Sequence, residues 1–215
     1  MPAPAKASKG MPKPIRVFLA TSNPGKLREY SVLAGEFSVE LDLLPNLDDI
    51  PTFEESAPTF AENAAGKAQY YSKHSSGIVL ADDSGLVVPA LGGAPGVHSA
   101  RYAGPNASDA DRVRKLLRAM DGKEGSERRA RFVCVTAIAQ RGRVVAVVSD
   151  FAEGTLTKEL RGTDGFGYDP IFFFEQLGRT YAEITREEKN KYSHRGKAFR
   201  KALAVLAAQN SVTFL

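Results

Sequence analysis

Apolar residues along the chain recur in two rhythms, one of every second position and one of every three to four, and the two alternate from residue 15 onward. Residues 15–20 are almost continuously apolar, which predicts a strand buried on both faces. Asn23 then stands as a helix cap with Pro24 at the first helical position, and Leu27, Tyr30, Ala34 and Phe37 share one stripe. Val39, Leu41 and Leu43 alternate with Glu40 and Asp42, as in a half-buried strand. Thr59 and Glu62 form a capping-box pattern opening a helix to about Lys73, with Phe60, Ala64, Ala68 and Tyr71 at helical spacing. A central strand is expected over 78–82, ending where Asp82, Asp83, Ser84 and Gly85 supply turn composition.

Ser108 with Asp111 opens a further helix carrying Val113, Leu116, Leu117 and Met120. Residues 131–139 and 143–151 flank the turn at 140–143 as a hairpin. After Ser193 a last helix places Phe199, Ala202, Leu203 and Leu206 on one face, and 212–215 adds a short strand. Strand–helix–strand units beside a hairpin make the class α/β with a mixed sheet.

Composition narrows this picture. The 215 residues are 43% hydrophobic and 25% charged, enough apolar matter for one globular domain over 15–215. Residues 1–14 are rich in Pro, Lys and Ala and read as a disordered tail. A net charge of +4 suits an anionic partner such as phosphate without demanding nucleic acid. The clusters Arg128, Arg129, Arg131 and Arg141, Arg143 read as solvated faces rather than a nucleic-acid surface. Cys134 is the single cysteine, so an internal disulfide framework is excluded and a reducing, cytoplasmic compartment is expected. Its place in a strand-like run makes it a buried thiol. No apolar run reaches membrane-spanning length, and His74 and His98 read as surface or satisfied core.

Five segments bear candidate chemistry. Asp82 and Asp83 are adjacent carboxylates that raise each other's proton affinity unless a cation lies between them, which invites a magnesium ion. Glu54 and Glu55 form a second acidic pair able to join them. Thr21, Ser22, Asn23, Pro24, Gly25 and Lys26 lie between the first strand and helix, a natural anion site, although the glycine pattern of a P-loop is absent. Phe166, Gly167, Tyr168 and Asp169 set two aromatics among glycines, as a pocket for a flat base requires. Lys189, His194 and Arg195 stand at the start of the last helix.

These blocks, with Phe60-Ala-Glu-Asn63, Leu91-Gly-Gly-Ala-Pro-Gly96 and Ser99-Ala-Arg-Tyr102, occur in order from about Arg16 to Ala208, and the chain resembles the inosine/xanthosine triphosphate pyrophosphatases. Ser22, where bacterial relatives commonly have glycine, and the tail depart from the pattern. The resemblance implies an elongated mixed sheet in two lobes with a central cleft, and a homodimer. It implies hydrolysis of deaminated purine nucleoside triphosphates (ITP, dITP, XTP) to the monophosphate and pyrophosphate, with Mg2+ required. It further implies Asp83 as general base and metal contact, Glu54 or Glu55 (Glu55 preferred) as metal support, and Thr21 to Lys26 as the phosphate loop. Ser84 is implied to touch substrate, Lys67, Lys189 and Arg195 to add positive charge, and Phe166 to Asp169 with His194 and Arg195 to bind and read the base. A related family of similar fold, acting on other modified nucleotides, is the alternative. No stable nucleic-acid or membrane partner is expected.

Overall fold

The computed structural model describes residues 15–37 and 39–211, with side chains described to 208. The tail at 1–14 and the short strand expected at 212–215 lie outside the described residues. Among the described residues seven strands form one sheet: β1 (Ile15–Leu19), β2 (Val39–Leu43), β3 (Ile78–Val87), β4 (Arg129–Gln140), β5 (Arg143–Leu156), β6 (Phe172–Phe174) and β7 (Arg179–Thr180). Their order is β2-β1-β3-β4-β5-β6-β7. β1 runs parallel to β2 and β3, and all other pairings are antiparallel, so the sheet is mixed as expected. Helices α1 (Pro24–Gly35), α2 (Phe60–Ser72), α3 (Asp109–Ala119), α4 (Arg186–Tyr192) and α5 (His194–Ser211) flank it.

Long strands β3 to β5 serve separate apolar cores at their two ends. At one end Leu19, Leu33, Leu80, Ile138 and Phe199 pack α1 and α5 on one face, and Ala64, Ala68, Tyr71, Val79 and Ala137 pack α2 on the other. At the other end Leu86, Leu116, Phe132, Phe172 and Tyr181 form a third core. Each fully buried Leu or Phe here contributes roughly 1.5–3 kcal/mol against exposure. The functional residues lie between these cores, on the middle of the sheet.

Most expected elements form for the expected reasons. Asn23 caps α1 through its side chain, and Ser108 and Asp111 make a reciprocal capping box. At the hairpin tip Arg141 and Gly142 both take positive φ, 50° and 76°, the backbone that a two-residue turn between twisted strands needs. Thr59 bonds the amide and carboxylate of Glu62.

Three readings need correction. β3 does not stop at Asp82 but runs to Val87, because the antiparallel ladder continues through Asp83↔Val135, Ser84↔Cys134 and Gly85↔Val133. Backbone pairing with β4 overrides local turn composition, and Gly85 lets Ser99 and the Gly96 carbonyl close on the strand. Arg128 is no solvated cation: it is buried and donates to the carbonyls of Met120, Lys123, Leu156 and Thr157. Strands β6 and β7 and helix α4 were not foreseen; α4 announces itself only through its capping pair, Thr185 and Glu188. No helix among the described residues is long and apolar enough to cross a membrane.

Candidate active site

Strand alternation sends Asp82 and Asp83 to opposite faces of β3. Asp82 is fully buried toward α1 and α5, where Lys26 Nζ lies 3.0 Å and Arg195 Nη2 3.5 Å from its Oδ2. Burial opposes its ionisation, but Lys26 and then Arg195 more than offset this and hold the carboxyl well below the usual range. The adjacent pair therefore does not clasp one cation; Asp82 is already neutralised.

Asp83 faces α2. Asn63 Nδ2 donates to its Oδ2 at 3.0 Å and the Ser84 amide to its Oδ1 at 2.8 Å. Burial, with the nearby Glu55 charge, pushes its pKa up to about 6. It borders an open cavity of about 990 Å3 that also meets Thr21, Ser22, Lys26, Glu55, Lys67 and Ser84. Glu55 Oε1 pairs with Lys67 Nζ at 2.6 Å, and Arg101 donates to the Glu55 carbonyl. Glu54 is exposed and does not line the cavity. Asn63 also bonds both backbone groups of Ala57, so one α2 side chain positions Asp83 and the acidic loop together.

The loop at 21–26 is tight. Asn23 Oδ1 takes the amides of Gly25 and Lys26, and the Asn23 amide donates to Thr21 Oγ1, so these three donors are spent within the loop. Side chains, Lys26 above all, are what the loop presents. Pro24 is exposed and lines a groove behind the loop instead.

A second cavity shares Asn23, Lys26, Ser84 and Ala100 with the first. Its walls bring together Phe166, Gly167, Tyr168, Asp169, Lys189, His194 and Arg195. Phe166 lies against Gly25, where an added Cβ would come within 2.7 Å of its ring, and its face meets the cations of Lys189 and Arg195 at 5.0 and 5.7 Å. Tyr168 is buried with its hydroxyl donating to the Ser99 carbonyl, and Asp109 accepts from the Gly167 amide. His194 stacks on Phe132 at 4.7 Å; burial first, and the Arg195 and Lys189 charges next, hold it well below its ordinary pKa and neutral. The buried His194 Nδ1 and Arg195 Nε have no hydrogen-bond partner among the described residues.

Behind both cavities runs an alternating row of charges: Lys26, Asp82, Arg195, Glu29, Lys189 and Asp169, each paired with the next. Lys189 lies 2.6 Å from Glu29 and 2.5 Å from Asp169. Arg195 also donates to Ser84 Oγ at 2.8 Å. Lys189 and Arg195 thus arrive already compensated rather than as free positive charge. Around the two cavities Lys26, Lys67, Arg112, Lys189 and Arg195 face Asp48, Glu55, Asp83, Asp109 and Asp169, which leaves no surplus of positive lining charge among the described residues.

The Ham1 family model matches residues 17–205. The chain belongs to the Ham1 family. It is 49% identical, over 86% of its length and 91% of the relative's, to a dITP/XTP pyrophosphatase of Geobacillus kaustophilus. It is 45% identical, over 89% and 98%, to one of Pectobacterium atrosepticum. A solved HAM1 protein of Coxiella burnetii superposes with TM-score 0.80 at 40% identity, covering 90% of this chain and 99% of that one. The nucleoside-triphosphatase / dITP/XTP pyrophosphatase of Mycobacterium abscessus gives 0.67 at 39%, covering 88% and 99%.

In this Ham1-family chain, neither Glu29, nor the separate duty of Asp82, nor the positioning role of Asn63 has a motif of its own in the sequence. Glu29 lies one position before Tyr30 on the buried stripe of α1, and a glutamate there is a signal in itself, because it needs buried cations to satisfy it.

Proposed function

We propose that this Ham1-family protein hydrolyses deaminated purine nucleoside triphosphates, those of inosine, deoxyinosine and xanthosine, to the nucleoside monophosphate and pyrophosphate. The observation that carries this reading is Asp83: a carboxylate oriented by Asn63 and the Ser84 amide beside Glu55, in a cavity continuous with one walled by Phe166, His194 and Arg195. A general base works best when its proton affinity lies near the working pH.

In the proposed reaction Asp83 accepts a proton from water as the water oxygen bonds to the α-phosphorus; the bridging oxygen to the β-phosphorus departs with pyrophosphate. Asn63 keeps Asp83 oriented for this transfer. Lys26 and Lys67 receive phosphate oxygens, with Thr21, Ser22 and Ser84 beside them. The donor set fits magnesium, a hard cation that takes one or two carboxylates and completes its shell with water and phosphate. Asp83 and Glu55, rather than the exposed Glu54, would hold it, and when bound it supplies the positive charge that the cavity lining lacks.

Base choice falls to the second cavity. Neutral His194 offers one donor and one acceptor, and the Arg195 Nε–H is a fixed donor suited to an oxo group. A 6-amino group in the same place leaves donors facing donors, a mismatch that costs enough for large selectivity. Phe166 supplies the stacking face, while Tyr168 and Asp169 brace its turn.

We further propose one domain over 15–215, a cytoplasmic setting in keeping with the buried thiol of Cys134, and a homodimer. Val145, Val147 and Phe151, exposed at alternate positions of β5, favour self-association; light scattering tests it. The activity itself is tested by incubating the protein with magnesium and inosine, xanthosine, adenosine or guanosine triphosphate. Rapid pyrophosphate release from the first two is expected; orthophosphate release, or equal rates on all four, contradicts the reading.

A further inference from the structure

Of the two carboxylates assigned to the metal, only Glu55 carries an ion-pair partner among the described residues. Lys67 Nζ lies 2.6 Å from Glu55 Oε1, the two side chains being 14% and 27% exposed. Lys67 springs from α2, whose position is fixed by the bonds of Asn63 to Ala57 and Asp83, so its backbone is set and only rotation of its four-carbon stem can bring the ammonium to another partner. Its ammonium stays charged: burial works against the charge, but Glu55 first, then Asp82 and Asp83, more than offset it. Lys26, the other lysine of this cavity, is committed to Asp82 through both the carboxylate and the carbonyl oxygen. Lys67 is thus the cation paired with the Glu55 carboxylate, while Arg101 holds the Glu55 carbonyl.

Two cations on one carboxylate repel each other, and a phosphate chain in the same cavity offers the ammonium another partner. We propose that Lys67 is a mobile counter-ion, which leaves Glu55 when a divalent cation binds there and passes its charge to the phosphate chain, so that metal and phosphate binding are coupled. The proposal rests on the assignment of Glu55 and Asp83 to the metal. Coupling of this kind is reciprocal: whatever the metal does for phosphate affinity, phosphate does for metal affinity.

Calorimetric titration of the full-length protein tests it, with wild type and Lys67→Met each receiving Mn2+ alone, pyrophosphate in chelator, and pyrophosphate with Mn2+. Lys67→Met is expected to bind Mn2+ alone about ten-fold more tightly than wild type, because no ammonium has to be displaced. Its loss of pyrophosphate affinity relative to wild type is expected to be about ten-fold larger with Mn2+ than in chelator. Lys67→Gln, which keeps a polar head, is expected to behave alike. Weaker Mn2+ binding in the variants overturns the proposal, because the ammonium then supports the ligand instead of competing for it. Equal loss of pyrophosphate affinity with and without metal also overturns it, because Lys67 then rests on phosphate throughout. Failure of the wild type to bind Mn2+, or an unchanged Mn2+ affinity in Glu55→Gln, overturns the metal assignment itself and the proposal with it; neither result depends on a Lys67 variant.

Discussion

Asp82 and Asp83 share a peptide bond yet face opposite sides of β3, one locked between Lys26 and Arg195 and the other held with its pKa near 6 beside Glu55. Neighbouring identical side chains thus acquire opposite proton affinities from the two sides of one sheet. Their neutral variants are expected to have opposite effects on stability.

Asp82→Asn leaves Lys26 and Arg195 buried without their shared counter-charge. Breaking a buried pair on one side costs about 3–5 kcal/mol. Urea denaturation at neutral pH is expected to give a loss of this size; a loss below about 1 kcal/mol, the range of an exposed pair, contradicts the buried-ladder assignment.

Asp83→Asn acts the other way. The folded-state pKa of Asp83 lies above its ordinary 3.8, so its protonated form favours the fold; that contribution is complete below about pH 4 and is lost as pH rises through about 6. Above that window the bare carboxylate costs on the order of 1–3 kcal/mol. In chelator at pH 8 the variant is expected to be the more stable protein, with the gain gone at pH 4. A variant less stable than wild type at pH 8 rules this out.

Asn63→Ala removes a hydrogen bond that lowers the Asp83 pKa. The acid limb of the kcat/KM profile is expected to move to higher pH, since more of the base is protonated at a given pH. An unmoved limb means that Asp83 is not the group it reports.

Gly25→Ala tests the contact across the cleft. A methyl group at Gly25 would lie 2.7 Å from the Phe166 ring, so the ring has to shift. KM for the nucleotide is expected to rise about five- to thirty-fold, roughly 1–2 kcal/mol of lost stacking and fit. An unaltered KM removes Phe166 from the base pocket.

The sequence carried much of this organisation on its surface. Caps at Asn23, Ser108 and Thr59 are local chemistry, and the hairpin tip at Arg141 and Gly142 needs only a short stretch to be read. Site blocks were legible as blocks. What escaped were relations between distant segments: Glu29 meets Lys189 and Arg195, both more than 150 residues away, and no window along the chain reveals that pairing. The continuation of β3 through Asp82 to Gly85 escaped for a similar reason, since β4 supplies the ladder and the local residues favour a turn. The three spent amides of the 21–26 loop, those of Asn23, Gly25 and Lys26, also had to be seen in three dimensions, because Asn23 is equally good as a helix cap or as a ligand residue.

The most direct measurement is the steady-state rate of pyrophosphate release from inosine triphosphate by Asp83→Asn at saturating magnesium. Loss of a positioned general base is expected to lower kcat by about 10²–10⁴-fold with the fold intact. A kcat within a few-fold of wild type would contradict the assignment of Asp83 as the group that takes the water proton.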